Sequence, residues 1–425
     1  MEGHGAYVSR LTDDMAGDAR AGRQVTEYVG GITRWKRRLD FTLDHFFRGD
    51  ISSIELMLLQ ILRVGLYDLT VLDKPPHAAI NEAVELAKKL VRPGAGGLVN
   101  GILRNVQRSI DTLPEPRTGD RAEDLAIEQS HPTWLVRRWL ERFGTAKTGA
   151  LLRWDNNRPI FGLRRNALRE SAALLEERLR ALDVSFEPSP FLEDFYRISG
   201  LQPIVRSGML ADGAVAVQDE SAGLVVRVLD PRSGEVVVDV CAAPGGKTRY
   251  AAERMNGEGV IYAYDANESR MHLLKNAAAH QGLAMIHTEV ADVRDLAAQS
   301  SAPRGDRVLL DAPCSGLGVL ARRADLRWQR SPEDLRGLTA LQDSLLDASA
   351  TLVGDGGMLV YSTCTIAPEE NEERIEAFLS RSPNFVLESA VGLVPNAMLS
   401  KEGYFASLPH EDGIDGAFAA RLRKK

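Results

Sequence analysis

From about Gln218 onward the chain repeats one pattern: a short aliphatic run, a loop, then a helical stretch. The runs are Val236–Val240, Gly259–Tyr264, Ile286–Val290, Arg307–Leu310 and Met358–Tyr361, rich in β-branched and aliphatic residues. Strands that lie under helices on both faces of a parallel sheet read this way. The pattern therefore predicts a doubly wound, Rossmann-like α/β domain over residues 218–425. In such sheets ligands bind beyond the carboxyl ends of the strands, and that is where reactive residues should be sought.

The preceding chain follows other periodicities. Residues 1–112 read as an all-α region. The stretch Ser53 to Leu72 is apolar nearly all round, as expected of a central helix. A second helix places Ala79, Ala83, Leu86, Ala87 and Leu90 on one face, Pro93 to Gly97 breaks it, and a third runs from Leu98 to Ile110. Leu113 to Asp120 is polar and proline-bearing, a linker. A small α+β module is expected over residues 125–217. It opens with a helix at His131-Pro132 carrying Leu135, Trp139 and Phe143, closed by Gly144. A strand at Ile160–Arg164 and a helix at Glu170–Leu182 follow.

At 425 residues, 44% hydrophobic and 26% charged, the chain has the composition of a globular protein of two or three domains. Three cysteines, no charged-then-apolar leader and no long apolar run predict a cytoplasmic, reduced protein without membrane contact. The net charge of −7 argues weakly against a polyanionic partner. Its distribution matters more: residues 131–190 hold 11 Arg or Lys against 7 Asp or Glu. Basic clusters recur at Lys36-Arg37-Arg38 and at Arg322, Arg323, Arg327 and Arg330, each of which alone reads as a solvated face.

Two strand ends carry acids and thiols. Arg307-Val-Leu-Leu-Asp311-Ala-Pro-Cys314 and Met358-Leu-Val-Tyr-Ser-Thr-Cys364 each run from strand to cysteine. A third end runs from Val236 through Cys241, Ala242, Ala243, Pro244, Gly245, Gly246 and Lys247 into a helix, where glycines permit close backbone approach to a ligand. Asp265 ends the next strand, where dinucleotide folds place an acid on ribose hydroxyls. The run nearly matches the phosphate-binding GxxxxGK[ST] pattern, but Cys241 stands in place of its first glycine.

One thiol after a strand is usually a small buried hydrophobe; two at one ligand-binding edge suggest chemistry. Neither has a second Cys or His at metal-ligand spacing, so no metal site is expected. A pair of thiols suits methylation at carbon 5 of a pyrimidine. One attacks carbon 6 and makes carbon 5 nucleophilic, and the other assists release. Asp311 can hydrogen-bond the base edge, and Lys247 can orient the base or lower a thiol pKa. The residues alone do not order the two cysteines.

Asp239-Val-Cys-Ala-Ala-Pro-Gly-Gly-Lys-Thr248, Asp311-Ala-Pro-Cys-Ser-Gly316, and Ser362-Thr-Cys-Thr365 with Glu369-Glu-Asn371 form a trio that resembles the RNA 5-methylcytosine methyltransferases. Glu82–Lys88 and Val99–Arg104 resemble the NusB-like domain of its members acting on 16S ribosomal RNA. The resemblance covers nearly the whole chain. It implies S-adenosylmethionine as methyl donor, with Cys241 to Lys247, Asp265 (ribose), Asp292 (near the adenine) and Asp311 lining its pocket. It makes Cys364 the nucleophile and Cys314 the cysteine of release. It also implies 16S ribosomal RNA as substrate, free or in an early assembly particle, and a monomeric enzyme. Transfer RNA or another ribosomal position as substrate, and a non-catalytic RNA-binding protein, remain open. That family's NusB-like domain begins with a further helix, and Met1-Glu-Gly-His-Gly enters close to its end, so a shortened bundle or an upstream start is expected. The target base must be unstacked. The 131–190 module and Arg322, Arg323, Arg327 and Arg330 are candidates for its RNA backbone contacts, with Trp328 a candidate stacking residue.

Overall fold

The computed structural model describes residues 19–425; the expectation about the first helix falls outside the described residues. The chain divides into two compact units. One comprises residues up to Asn157 together with Leu320–Gln329, the other Arg158–Val319 together with Arg330–Lys425.

The first unit is all helical, with helices Ala19–Phe46, Leu56–Thr70, Pro76–Leu90, Ala95–Arg108, Arg121–Glu128 and Thr133–Asn156. Leu58, Leu62 and Leu66 from the second helix pack with Ile80, Val99, Leu103 and Val106 in one core. The central helix is less enclosed than its composition suggests, since Leu56 and Met57 in its first turn are exposed. On the next helix Leu86 and Leu90 are also exposed, while Ile80 joins Ala79, Ala83 and Ala87 inside. Alanines let neighbouring helices approach closely, so the buried face is centred on them and not on the leucines. Gly96 and Gly97 do not break a helix but lie in the first turn of Ala95–Arg108. Gly144, at φ +73° and ψ 177°, is non-helical, so the stretch Thr133–Asn156 is two helices joined at a kink and the first closes there as expected.

The segment Leu320–Gln329 leaves the α/β sequence to join this helical unit. Arg327 is fully buried there, donating to the carbonyls of Ser130 (3.1 Å) and Asp155 (3.0 Å) and to Oδ1 of Asn156 (2.9 Å). Burial lowers its pKa to about 9. Trp328 donates its Nε1 to the Thr33 carbonyl at 2.6 Å. Arg330, in the second unit, donates to the carbonyls of Ser315 (3.1 Å) and Cys314 (3.4 Å). Two of the expected RNA contacts are thereby corrected: Arg327 has no surface to offer a phosphate, and Arg330 is engaged by a loop. An arginine run in sequence looks alike whether it faces water or backbone carbonyls.

The second unit contains two sheets. Strands β1 (Phe161–Arg165), β2 (Phe186–Pro188), β3 (Phe195–Ile198) and β4 (Val215–Val217) form an antiparallel sheet in the order β2-β3-β1-β4. It packs Leu163, Tyr196, Ile198 and Val215 with Leu175 and Leu179 of the helix Ala172–Ala181. The helical stretch Thr133–Asn156 lies within the first compact unit. The buried Arg164 of β1 pairs with Glu253 of the helix Gly246–Arg254.

The larger sheet comprises β5 (Val236–Asp239), β6 (Val260–Asp265), β7 (Ile286–Val290), β8 (Gly305–Asp311), β9 (Val353–Thr363), β10 (Phe385–Glu388), β11 (Phe405–Ala406) and β12 (Phe418–Lys424). Its order is β10-β12-β9-β8-β5-β6-β7, with β11 paired to β12. The strands β5 to β9 are parallel to their neighbours, and β12 returns antiparallel beside β9. Successive residues of the central strands enter opposite cores. Val237, Leu309 and Val360 face one layer, and Val238, Val308, Leu310 and Leu359 the other. Both faces are buried, which is why these strands read as unbroken apolar runs. The chain winds outward from β5 through β6 and β7, then crosses back to place β8 on the other side of β5, creating a switch point between β5 and β8. The helix Pro332–Thr351 has the Ser331–Asp334 capping box and proline in its first turn. Among the described residues no helix is long and apolar enough to cross a membrane.

Candidate active site

The switch point gathers the sequence-predicted residues at one sheet edge. Asp311 ends β8 in register with Ser362 of β9, and Ser362 Oγ donates to Asp311 Oδ1 at 2.8 Å. Lys247, one residue into its helix, reaches across from the β5 loop and donates to Asp311 Oδ2 at 2.7 Å. Burial opposes the charge on Lys247, but the Asp311 carboxylate outweighs it and the amine pKa is raised. The lysine is therefore a cation at any physiological pH.

Matching strand register also brings the two cysteines together. Cys314 follows β8 by three residues and Cys364 directly follows β9. Their sulfurs lie 3.3 Å apart, and the backbone N–H of Cys364 points to the Cys314 sulfur at 3.4 Å. Both are partly exposed. The pair is polarised: the hydrogen bond with Cys364, together with burial, pushes the Cys314 thiol well up. The hydrogen bond from Cys314 brings the Cys364 thiol down against burial and the Asp311 charge, with a smaller contribution from the Lys247 charge. Cys364 is the better anion of the two.

The β5 loop forms a second concavity beside them. Gly245 has φ +95°, and a Cβ there would sit 2.1 Å from Leu274 Cδ1, so only glycine fits. Asp265, ending β6, accepts from the N–H of Ala243 at 3.0 Å and of Asn267 at 2.8 Å. Arg270 clamps the Ala243 carbonyl. Cys241 is pushed far up by burial and by the charges of Asp239, Asp265, Asp311 and Asp292, so the four carboxylates converge around this loop and the Cys241 thiol stays protonated. Asp292 caps the short helix Val293–Ala297 and forms a two-point pair with Arg294. Asp239 is buried and pushed up to about 7, with Thr248 donating to its Oδ2 at 2.7 Å. Its Oδ1 and both polar atoms of Gln218 have no protein partner among the described residues, and Gln218 lies beside Gly246.

Several residues that shape this edge carry no obvious signal in the sequence. Glu370 and Gln342 hold the Pro-Cys loop from beneath, and Arg330 holds it from the side. Glu370 belongs to the quoted Glu-Glu-Asn run, but a carboxylate after a Thr-Cys-Thr turn reads as a helix-start acid until the fold closes over it.

Comparison with known proteins agrees with this architecture. Residues 226–423 match the family described as 16S rRNA methyltransferase RsmB/F, residues 3–108 the NusB family, and residues 131–204 the ferredoxin-like domain of RsmF/B-like methyltransferases. The chain is 37% identical over 409 residues to a probable ribosomal RNA small subunit methyltransferase B of Bacillus subtilis, covering 94% of this chain and 90% of that one. It is 35% identical over 400 residues to ribosomal RNA small subunit methyltransferase B of Yersinia pseudotuberculosis, again covering 94% and 90%. The crystal structure of PH0851 superposes with a TM-score of 0.82 at 28% identity, covering 96% of this chain and 91% of that one. With such identity sustained over nine-tenths of both chains, the protein belongs to the RsmB/F family of 16S rRNA methyltransferases.

Proposed function

We propose that the protein methylates carbon 5 of a cytosine in 16S ribosomal RNA, using S-adenosylmethionine and a covalent cysteine–cytosine intermediate. The observation that carries this reading is the polarised pair of sulfurs, 3.3 Å apart, beside the Lys247–Asp311 ion pair. Methylation of an exocyclic amine or a ribose hydroxyl has no use for two thiols, whereas carbon 5 of a pyrimidine requires nucleophilic activation.

The Cys364 thiolate attacks carbon 6 of an unstacked cytosine, and the ring's electrons move so that carbon 5 becomes enamine-like. Asp311 accepts from the exocyclic amine of the base and holds it over Cys364, and the Lys247 ammonium balances the negative charge that develops on the ring. After methylation solvent water takes the proton from carbon 5, the C–H electrons re-form the 5,6 double bond, and the carbon–sulfur bond breaks with its electron pair leaving on Cys364 as thiolate, a release that Cys314 assists. S-adenosylmethionine supplies an electrophilic methyl group on a sulfonium. The β5 loop suits it. Gly245 allows close approach, the helix beginning at Gly246 offers unpaired N–H groups, and Asp265 keeps lone pairs for ribose hydroxyls beyond its two backbone bonds. Asp292 and Cys241 to Lys247 complete the pocket.

Gly245→Ala tests the pocket without touching the thiols. Backbone strain of about 1–3 kcal/mol, added to the clash with Leu274, should raise the dissociation constant for S-adenosylmethionine roughly tenfold or more by calorimetry. An unchanged constant removes this loop from the cofactor site.

The function is tested with purified protein, labelled S-adenosylmethionine and, separately, deproteinised 16S RNA and total transfer RNA, with the product mapped by bisulfite sequencing. A single new 5-methylcytosine in 16S RNA is expected. Methylation of transfer RNA alone would keep the chemistry and overturn the substrate. Transfer to neither, from protein that binds cofactor, would favour an assembling particle as substrate or a non-catalytic role.

A further inference from the structure

The two cysteine loops meet over one buried carboxylate that the reaction itself does not call for. Glu370 is fully buried. Its Oε1 accepts from the Ser315 backbone N–H at 2.8 Å and from Gln342 Nε2 at 3.0 Å, and its Oε2 accepts from the Ser315 hydroxyl. Because Ser315 gives its proton to Glu370, the 2.8 Å contact between the Ser315 and Thr365 hydroxyls must be donated by Thr365. The Thr365 oxygen accepts in turn from the Ala367 N–H at 3.2 Å. Ser315 adjoins Cys314 and Thr365 adjoins Cys364, so a single chain of hydrogen bonds ties both loops to one acid. These donors surround an acceptor-only group, which an ionised carboxylate is and a protonated acid is not.

The charges around the pair are unevenly placed. Glu370 lies under the Cys314 loop, together with the Tyr361 ring and the Arg330 guanidinium at the Cys314 carbonyl. On Cys364 the Asp311 and Asp415 carboxylates oppose an anion and the Lys247 ammonium favours one. What distinguishes the two sulfurs is therefore the Cys314–Cys364 hydrogen bond and the carboxylate fixed under the Cys314 loop. We propose that Glu370 is a positioning residue that keeps the proton of the thiol pair on Cys314 and so leaves the attacking anion to Cys364. An anion fixed one residue from Cys314 opposes a second anion on its sulfur. The remaining S–H of Cys314 then points at Cys364, 3.3 Å away. The opposite displacements of the two thiols agree with this arrangement, Glu370 being among the charges that push Cys314 up. The inference rests on the thiol chemistry proposed above.

Brief alkylation of the full-length protein with iodoacetamide at neutral pH, read by peptide mass spectrometry, measures which sulfur carries the anion. In the unaltered protein Cys364 should be labelled at least about tenfold faster than Cys314, since only thiolates react. Glu370→Gln keeps the shape and removes the charge. It should reduce that ratio roughly tenfold, the effect of about one pKa unit. Glu370→Asp retains the charge and should hold the ratio within about threefold of the original. A ratio unchanged in Glu370→Gln, even with methylation lost, would make Glu370 merely structural. Equal labelling, or faster labelling of Cys314, in the unaltered protein overturns the proposal whether or not the variants fold. If Glu370→Gln shifts the ratio but Cys364→Ala still methylates RNA, the ordering of the thiols stands and the carbon 5 reading fails. If Cys364→Ala is inactive and the ratio does not move, the reverse holds.

Discussion

Cys364→Ala is expected to lower methyl transfer to RNA by at least roughly 10,000-fold, about 5.5 kcal/mol of barrier, while cofactor binding stays within about twofold because the β5 loop is untouched. Carbon 5 of cytosine has little nucleophilicity of its own, so losing the attack on carbon 6 removes the reaction path and does not merely slow it. The side chain is small and partly exposed, so alanine leaves little cavity and the fold should persist. Transfer of label from S-adenosylmethionine, read in single turnover, decides the matter. Residual activity within about a hundredfold of the original, worth only about 2.7 kcal/mol of barrier, would mean that the thiol is not the nucleophile.

Cys314→Ala should behave differently, losing turnover but accumulating a covalent protein–RNA adduct. Cys364 loses the hydrogen bond from Cys314, so addition slows, but the thiol and the Lys247 cation beside it remain and addition to the base continues. Release becomes slow because the neighbouring sulfur that assists it is gone. The adduct should appear as a slow-migrating band on a denaturing gel with labelled RNA, approaching about one per enzyme if elimination falls some thousandfold. An adduct from the Cys364 variant in its place would reverse the roles of the two cysteines. The geometry argues for the order given: the buried Glu370 carboxylate is fixed under the Cys314 loop, whereas the Lys247 ammonium acts on Cys364.

Much of this was legible in the chain. The strands β5 to β9 announce themselves because both of their faces are buried, so burial overrides any alternation and leaves apolar runs. β10, β11 and β12 went unread. The last of these, Phe418–Lys424, carries three charged residues among its seven, and two of them find partners far away in sequence, Arg421 and Arg423 both pairing with Glu388 and donating to the carbonyls of Val228 and Gly356. The helix Arg121–Glu128 was missed for a related reason: it is two turns long and starts from an Asp120 cap inside an otherwise polar stretch.

By itself the sequence determined the α/β domain, the strand ends on which the acids and thiols stand, and the glycine loop, because strand periodicity, backbone freedom and thiol reactivity are properties of single residues and their neighbours. Only the tertiary structure decided what those groups do to one another. Strand register sets Asp311 level with Ser362 and the two sulfurs 3.3 Å apart. Chain crossing puts Lys247 on Asp311, and closure of the Glu-Glu-Asn segment puts Glu370 under Ser315. Packing of Leu320–Gln329 into the helical unit turned Arg327 inward to backbone carbonyls, although its neighbours in sequence suggested a surface. Contacts between residues some 30 to 200 positions apart carry these effects, and hydrogen-bond and Coulomb energies depend on distances in space that local sequence does not encode.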